Sequence, residues 1–321
     1  MKLSIVIISY NKKDYILQAV NSCLNQTAFS RFECEIIIGD DGSNDGSISV
    51  INKLCEQNEN IHAFLMDRTD GDLKHLIPSI RVSNVIRKGM KMSKGEFIQI
   101  LSADDFFPDC GSMDTFIDFL DNNPKFDSCY SNYYHFWDNG IKETPKQLSS
   151  HRFSRTLLWA FEYHHISCFM FRRKVMNYLL DRMFDDTGLA LSCFVSGKTK
   201  FFRNDYFAYR QVNSGITRES DSTELVFSEL LLFQDVLNKG FYKFASFAKF
   251  YWCIRYIQRN KKSIDRTKYE KYIIESKSKQ NDLISLFICD CNKSKRLKLR
   301  FLCFFSHLIL YFIDKAYKLF A

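Results

Sequence analysis

Two adjacent carboxylates, Asp104 and Asp105, follow directly after an apolar run in the stretch ILSADDFFPD. The run is typical of a buried strand, and Pro108 indicates a turn just beyond it. Because neighbouring carboxylates repel each other and are costly to desolvate, the pair must share a positive charge or stay in water. A hard divalent cation, Mn²⁺ or Mg²⁺, suits oxygen ligands of this kind. The alternative is a solvated turn with a helix cap.

Two further acidic pairs have similar surroundings. Asp40 and Asp41 end the stretch EIIIGDD and run into GSNDGS, and Asp185 and Asp186 precede the apolar stretch TGLALSCFV. Each pair also fits a helix cap, because Asp and Ser side chains accept hydrogen bonds from the first amides of a helix. One pair alone is therefore weak support for a catalytic site, and the order and spacing of all three carry more weight.

The predicted elements place two of these pairs at one edge of a sheet. Apolar runs predict strands over 3–9, 35–39, 61–66 and 96–101, and helical periodicity predicts helices over 15–24, 47–55 and 79–92. Such alternation is typical of an α/β fold with a mainly parallel sheet flanked by helices. Ligands of these sheets bind beyond the carboxyl ends of the strands, so that segments 9–11, 40–41 and 104–105 should face one crevice.

The second half of the chain is less regular. Strands are predicted over 128–137, 169–172 and 200–210, a helix over 156–163, and helical structure from about residue 223 onward. We therefore expect one domain over 1–220, divided at about residue 107 into two halves. A helical C-terminal extension is expected over 221–321.

Composition limits the class of protein. With 321 residues, of which 46% are hydrophobic, the chain can bury a substantial core. The net charge of +8 fits an anionic ligand or a membrane surface, but it is too mild for a nucleic-acid-binding protein. The start MKLSIVIISYNKK predicts a first strand and not a signal peptide, so we expect the eleven cysteines to be reduced thiols of a cytoplasmic protein.

The combination of motifs resembles glycosyltransferase family 2. The sequence has SYN at the end of the first predicted strand, then DDGS, then KGEFIQILSADD, and a further DD that leads into a helix. HISCFMFRRKVM and YRQVNSGIT also resemble segments of that family, so the likeness covers roughly Lys2 to Thr217. It implies the GT-A fold, which has a Rossmann-like sheet, and transfer of a sugar from a nucleotide donor with inversion. It also implies that the domain over 1–220 is catalytic, with a nucleotide-sugar half up to about residue 107 and an acceptor half over about 108–220.

The resemblance also implies roles for the acidic residues. Asp104 and Asp105 would bind a divalent cation that neutralises the donor diphosphate as the glycosidic bond breaks. Asp40 would accept a hydrogen bond from the nucleobase, a pyrimidine in most relatives, which makes a UDP-sugar the expected donor. Asp186, with Asp185 beside it, would deprotonate the acceptor hydroxyl. The other expected contacts of the nucleotide-sugar are Ser9, Tyr10, Asn11, Asp41, Arg87, Ser102 and Ala103.

Three positions depart from the pattern of the family. Ser102 stands where relatives have the first carboxylate of the Asp-x-Asp motif, which leaves a metal fewer anionic ligands. Val212 stands where many relatives have a His, and Arg87 lies in IRKG where relatives often have Arg-Asn-x-Gly. These departures keep open a degenerate protein that binds nucleotide-sugars without turnover. A sugar-phosphate nucleotidylyltransferase is another alternative, although SYNKKDY lacks the glycine-rich loop usual after the first strand of those enzymes.

The C-terminal segment 293–321 combines an apolar core over 301–313 with seven Lys or Arg residues. The core is too short to span a bilayer. A basic amphipathic helix of this kind is expected to lie in the interface of an anionic membrane, at the inner face of the cell membrane. That position would suit a glycan or lipid-linked acceptor in surface-polysaccharide biosynthesis. The alternative is a helix that packs on the catalytic domain or on the second subunit of a homodimer.

Overall fold

The computed structural model describes residues 1–67, 78–144, 165–178 and 186–212, together with residues 301, 304, 305 and 308. The strands of these ranges are β1 (Leu3–Ser9), β2 (Cys34–Asp40), β3 (Ile61–Leu65), β4 (Phe97–Ser102), β5 (Phe126–Phe136), β6 (Lys142–Glu143), β7 (Phe169–Arg172) and β8 (Lys198–Arg210). The helices are α1 (Ile16–Leu24), α2 (Ala28–Arg31), α3 (Ser47–Gln57), α4 (Pro78–Met92), α5 (Ser112–Asn122) and α6 (Asp186–Ser196). Short 3₁₀ turns span Ile166–Cys168 and Arg173–Tyr178.

The strands form one mixed sheet in the order β3-β2-β1-β4-β7-β5-β6, with β8 paired to β5. β1, β2, β3 and β4 are parallel neighbours, as the alternation of strands and helices predicts. β7 runs antiparallel to both β4 and β5, whereas β8 runs parallel to β5. The carboxyl ends of β1, β2 and β4 therefore lie side by side at one edge.

The core lies between this sheet and its helices. Every residue of β2 is buried, as expected for a strand covered on both faces. Helix α4 approaches the sheet closely at two glycines, because a Cβ atom on Gly89 would lie 2.5 Å from Val6 Cγ1 and one on Gly39 would lie 2.5 Å from Val85 Cγ1. Close packing fixes α4 over β1 and β2, and with it the side chains that α4 carries toward the strand ends.

The predicted strands and helices of the described ranges are confirmed, with ends that differ by at most two residues. Helices α2 and α5 and the short strand β6 were not predicted. The helix predicted over 156–163 lies outside the described residues, as does most of the predicted helical extension. The division of the chain at residue 220 stays a prediction. No helix in the described ranges has the length and apolarity needed to cross a lipid bilayer.

Candidate active site

Three segments meet where β1, β2 and β4 end. The main-chain amide of Asp41 donates to the carbonyl of Ser9 at 2.9 Å, and the amide of Ala103 donates to the carbonyl of Ile8 at 2.9 Å. We call this edge the crevice and define it by residues 9–12, 40–43 and 102–105. The sequence predicted this meeting, because parallel strands bring their carboxyl ends to one edge.

The turn after β1 is fixed by Asn11. Its backbone has a φ of 52°, in the left-handed region that Asn tolerates better than most residues. Its amide donates to Ser43 Oγ at 2.8 Å, and its side-chain Oδ1 accepts from the amide of Asn44 at 3.0 Å. Asn11 therefore ties the turn after β1 to the turn after β2.

Asp40 holds the turn that follows β2. Its Oδ1 accepts from the amide of Ser43 at 2.7 Å, and its Oδ2 accepts from the hydroxyl of the same Ser43 at 2.6 Å. The side chain is buried. Since each carboxylate oxygen has a second lone pair, these bonds leave acceptor capacity for a ligand. The contact of Asp40 with a nucleobase stays a prediction.

Asp41 is paired with an arginine that the sequence analysis did not single out. Arg81 Nε donates to Asp41 Oδ2 at 2.8 Å, and Arg81 Nη2 donates to the same oxygen. The guanidinium also lies over the ring of Tyr10, 5.2 Å from its centroid. Arg87, which was predicted to contact the nucleotide-sugar, is partly buried six residues further along α4. No motif marks Arg81, because its position depends on how α4 packs on the sheet.

Residues 102–105, whose sequence is SADD, form a turn at the end of β4 that we call the SADD turn. Its two carboxylates, Asp104 and Asp105, have different surroundings. Asp104 Oδ2 lies 2.9 Å from the ammonium nitrogen of Lys12, and the two side chains are 17% and 12% exposed. The side chain of Asp105 is 0% exposed; its Oδ1 accepts from the amide of Arg210 at 2.9 Å. Asp104 is thus the member of the pair that a ligand in the crevice can reach. Ser102, at the start of the turn, donates its amide to Ser167 Oγ at 3.3 Å.

Behind Asp105 lies a buried histidine, His165. Its Nδ1 accepts from the amide of Ser167 at 3.2 Å, so that the proton of the neutral ring is on Nε2, 3.6 Å from Asp105 Oδ2. Burial lowers the pKa of His165 to about 3, and the positive charge that His135 can carry acts in the same direction. The negative charge of Asp104 opposes this shift without cancelling it. His165 is therefore neutral at physiological pH.

Arg210, the last residue of β8, holds the SADD turn from the other side. Its Nε donates to the main-chain carbonyl of Asp104 at 2.9 Å. Its Nη1 donates to Asp138 and its Nη2 to Gln18. The guanidinium is buried against the rings of Tyr15, Phe106 and Phe136 at 5.0, 5.3 and 5.1 Å. A single side chain thus connects β8, the SADD turn and helix α1.

Next to His165, β5, the residue that follows it and β8 contribute an aromatic wall, which we define as Tyr133, His135, Trp137 and Tyr209. The rings of Tyr133 and His135 are stacked at 5.6 Å with an interplanar angle of 11°. Trp137 and Tyr209 lie 5.9 and 5.5 Å from His135, and Tyr209 lies 4.4 Å from His165. Burial also lowers the pKa of His135. The wall borders the acidic turn through His165.

The part of the sequence that forms the crevice matches a known protein family. The family model described as Glycosyl transferase family 2 matches residues 4–180, more than half of the chain. The chain belongs to glycosyl transferase family 2. The matched range contains the crevice, Arg81 and His165, and it ends before Asp185.

Curated relatives match over part of their length. An uncharacterized glycosyltransferase of Mycoplasma genitalium is 29% identical over 145 residues, which are 45% of this chain and 46% of that protein. A poly(ribitol-phosphate) beta-glucosyltransferase of Bacillus spizizenii is 33% identical over 106 residues, which are 33% of this chain and 15% of that protein. The chain spans less than half the length of these curated relatives.

A solved structure extends the likeness over nearly the whole chain. The crystal structure of S. aureus TarS 1–349 in complex with UDP-GlcNAc superimposes with a TM-score of 0.60 at 15% identity, covering 99% of this chain and 92% of that chain. At this identity the likeness concerns the fold. It confirms the GT-A fold that the resemblance to glycosyltransferase family 2 implied.

The described residues of this family 2 chain do not form a metal site of their own. Within the described ranges, no three His, Cys, Asp or Glu side chains are grouped so that they could hold a metal ion. Asp105, expected to be a metal ligand, is buried and turned to Arg210, and Ser102 has no carboxylate. Asp104 remains, and it pairs with Lys12. In this structure the positive charge beside Asp104 is the ammonium group of Lys12.

The predicted catalytic base lies at the edge of the described residues. Asp186 is the first residue of helix α6, as the sequence predicted, whereas Asp185 lies outside the described residues. The assignment of Asp186 as the base and of Asp185 as its neighbour therefore stays a prediction. The pattern did not identify Lys12, Arg81 and His165 as members of the site, since none belongs to the acidic motifs.

Proposed function

We propose that the chain is an inverting glycosyltransferase that moves a sugar from a nucleotide-diphosphate donor, a UDP-sugar, to a hydroxyl of a glycan or lipid-linked acceptor. The observation that carries the proposal is the crevice, where the segments that carry Asp40, Asp41 and Asp104 follow the carboxyl ends of β2 and β4 on either side of β1. That edge is where α/β sheets bind their ligands. Membership of glycosyl transferase family 2 supports the reaction class, and the UDP-GlcNAc complex of TarS supports the donor class.

The crevice has groups that suit each part of such a donor. Lys12 and Arg81 bring positive charge beside the carboxylates, as a diphosphate requires. Tyr10 and Asn11 line the turn after β1, where we place the nucleoside. The hydroxyl of Ser9 is buried and has no hydrogen-bond partner among the described residues, so a polar group of the nucleotide would satisfy it. Ser102 and Ala103 continue the floor toward Asp104.

The acceptor side of the proposed reaction lies across the SADD turn. Inversion needs one direct displacement, so a base must take the proton of the acceptor hydroxyl on the face opposite the diphosphate. We assign this role to Asp186 at the start of α6, with Asp185 as the neighbour that raises its affinity for protons. We place the acceptor sugar against the aromatic wall, because flat apolar surfaces with a few polar groups are what a sugar ring can pack against.

A divalent metal, Mn²⁺ or Mg²⁺, stays a prediction for this chain. A bound metal would neutralise the negative charge that grows on the diphosphate as the glycosidic bond breaks. The described residues supply one reachable carboxylate for it, Asp104, which already pairs with Lys12. Lys12 and Arg81 bring further positive charge to the same crevice.

We also propose that the C-terminal segment lies on an anionic membrane surface, at the cytoplasmic face. Phe301, Phe304, Phe305 and Leu308 are helical and 65%, 47%, 51% and 36% exposed. Their spacing places them on one side of a helix, and five Lys or Arg residues lie between 293 and 300. Exposed apolar residues beside basic ones are typical of helices in a membrane interface. Such a position would bring a lipid-linked acceptor in surface-polysaccharide biosynthesis to the crevice.

The Lys12–Asp104 pair and Ser102 favour one other candidate function. A chain that keeps the nucleotide pocket but has lost metal ligands could bind a nucleotide-sugar without consuming it. The two candidates differ in turnover and share donor binding.

The test is a thermal-shift screen of nucleotide-sugars and nucleoside diphosphates, followed by product analysis. A nucleotide at a hundred times its Kd should stabilise the folded protein by about 2.7 kcal/mol. Inverted glycoside product with release of the nucleotide would support the transferase, and binding without turnover would support the second candidate. A chain that no nucleotide diphosphate stabilises, or a product of retained configuration, would contradict the proposal.

A further inference from the structure

The side chain of Lys12 forms an ion pair with Asp104 inside the crevice. Its ammonium lies 2.9 Å from Asp104 Oδ2, the carboxylate that the resemblance to family 2 assigns to a metal and the donor diphosphate. At 12% exposure the side chain is largely shielded from water while still reaching the surface of the crevice. An ion pair in such a position is stronger than one in open solvent, because the surrounding protein screens it less.

The backbone of Lys12 is held from both directions. Its amide donates to Ser47 Oγ at 3.0 Å, and its carbonyl accepts from the amides of Tyr15 and Ile16 at 3.0 and 2.9 Å. The preceding residue, Asn11, is fixed by its bonds to the turn after β2. The position from which the Lys12 side chain reaches the crevice is therefore set before any ligand binds.

The pair changes the charge that a donor meets. Asp104 alone would repel a diphosphate, which is why a metal ion is expected beside such a carboxylate. With the ammonium of Lys12 in contact, the pair carries no net charge. An ammonium has three N–H donors, so one Lys can contact Asp104 and a phosphate oxygen at the same time.

Whereas Lys12 can help to bind a diphosphate, it would hinder the binding of a metal ion to Asp104. The metal ion would have to displace Lys12 or share one carboxylate with it, and the described ranges offer no other grouped ligands. Ser102 cannot supply the missing negative charge, and Asp105 is buried against Arg210. The ammonium therefore competes with a metal for the same oxygen.

We infer that Lys12 is the cation of the donor-diphosphate subsite, so that nucleotide diphosphates bind to this chain without a metal ion. The inference rests on the proposed function, since it concerns the same crevice and the same class of donor. It assigns to Lys12 the charge that the resemblance assigns to Mn²⁺ or Mg²⁺. Metal, where it is supplied, should add little affinity for the nucleotide.

The experiment is isothermal titration calorimetry of UDP and of GDP with the full chain in excess chelator. Lys12→Met removes the charge and keeps most of the stem, and Lys12→Arg keeps the charge. Lys13→Met is the matched control, because Lys13 is the exposed neighbour and its contact with Asp45 comes from its main-chain amide. We expect wild type, Lys13→Met and Lys12→Arg to bind within a few-fold of one another. Lys12→Met should bind roughly ten- to a hundredfold more weakly, the usual effect of losing one charge-assisted hydrogen bond.

A second measurement does not depend on the nucleotide. Titration of Mn²⁺ followed by electron paramagnetic resonance should show tighter metal binding to Lys12→Met than to wild type, since Asp104 loses its competitor. The gain should disappear in Lys12→Met combined with Asp104→Asn.

The outcomes separate the inference from the proposed function. Wild-type binding that requires Mn²⁺, or Lys12→Met binding in chelator that equals wild type, would overturn the inference and leave the proposed function standing. Equal affinity of wild type and Lys12→Met for Mn²⁺ would also overturn it. A wild-type chain that binds no nucleotide diphosphate with or without metal would overturn the proposed function itself.

Discussion

The main-chain amide of Arg210 donates a 2.9 Å hydrogen bond to Oδ1 of Asp105, although the two residues lie 105 positions apart in the chain. The side chain of the same arginine donates to the carbonyl of Asp104 at 2.9 Å. Arg210, at the end of β8, therefore binds both residues of the acidic pair. By holding the main-chain carbonyl of Asp104, the side chain of Arg210 fixes the backbone from which the Asp104 carboxylate extends.

Arg210→Lys should lower both stability and turnover. Lysine keeps the charge but loses the fork that reaches Asp138, Gln18 and the Asp104 carbonyl together. We expect the free energy of unfolding to fall by at least about 2 kcal/mol, the range for hydrogen bonds to a charged group. Turnover of the donor should fall roughly ten- to a hundredfold, because a small displacement of a positioned group costs about that much.

Urea unfolding and donor turnover of the purified variant measure these two effects. Arg203→Lys is the matched control, since Arg203 is exposed on the same strand and should tolerate the change. An Arg210→Lys protein with normal stability and normal turnover would show that the hydrogen bonds of the Arg210 side chain are not needed for folding or activity.

His165 should make the folded state sensitive to acid. Burial lowers the pKa of His165 to about 3, whereas an unfolded histidine titrates near 6.5. Between these two values the unfolded chain binds a proton that the folded chain refuses, so stability is complete above about pH 6.5 and falls as the pH decreases. The loss from this one group is about 1.4 kcal/mol per pH unit until about pH 3. Asp105 and His135 also face the site.

Urea unfolding at several pH values between 7 and 4 tests this effect. His165→Asn should show a shallower loss of stability with acid than wild type, and His62→Asn, at an exposed position on β3, should keep the wild-type slope. Identical slopes for wild type and His165→Asn would mean that the ring is protonated in the folded state.

Asp186→Asn should remove the proposed base. The substitution keeps the volume of the side chain but cannot take a proton, so transfer should fall by roughly two to four orders of magnitude. Affinity for UDP should barely change, because we place the nucleotide in the crevice and not beside Asp186. Asp185→Asn is the control and should cost much less. If Asp185→Asn is the more damaging change, the base is one residue earlier, and if neither change matters the base lies elsewhere.

Binding to vesicles tests the C-terminal segment. Replacing Phe301 and Phe305 by Ser should release the full chain from vesicles of phosphatidylglycerol, while Leu17→Ser, at a 50% exposed position on α1, should not. Wild type should bind vesicles of phosphatidylcholine weakly, because the basic residues need anionic headgroups. A variant that still floats with the vesicles would contradict the membrane proposal. One that instead changes from dimer to monomer would favour contact with a second subunit.

Much of the fold could be predicted because its strands carry a strong local signal. Strand β1 is a continuous run of Ile and Val covered on both faces, and such runs admit few other structures. Helix α5 was missed although its buried residues Met113, Phe116, Ile117 and Leu120 have helical spacing. The sequence predicted only a turn at Pro108 in this region. Asp109, whose side chain accepts from the amides of Gly111 and Ser112 at 3.0 and 2.9 Å, was a usable start signal.

The site was predictable to the extent that it follows from strand ends. The meeting of the segments around Ser9, Asp40 and Asp104 follows from parallel pairing alone. The partners of the carboxylates do not, because Arg81 lies on α4, Arg210 lies at the end of β8 and the side chain of Lys12 reaches across from the turn between β1 and α1. These pairings depend on how helices and strands pack against each other, and a single sequence carries no local pattern that predicts this packing. For the same reason, the different surroundings of Asp104 and Asp105 could not be predicted from two identical neighbours.

The central claim is that the crevice beside Asp104 consumes a nucleotide-sugar, and nucleotide release from a panel of UDP-sugars tests it most directly. Wild type and Asp14→Asn, an exposed control in the same region, should release UDP from at least one donor. Asp104→Asn, which keeps the shape but loses the charge that holds Lys12, should be slower by roughly two orders of magnitude or more. Release by Asp104→Asn at the wild-type rate, or no release by wild type from any donor that it binds, would contradict the account.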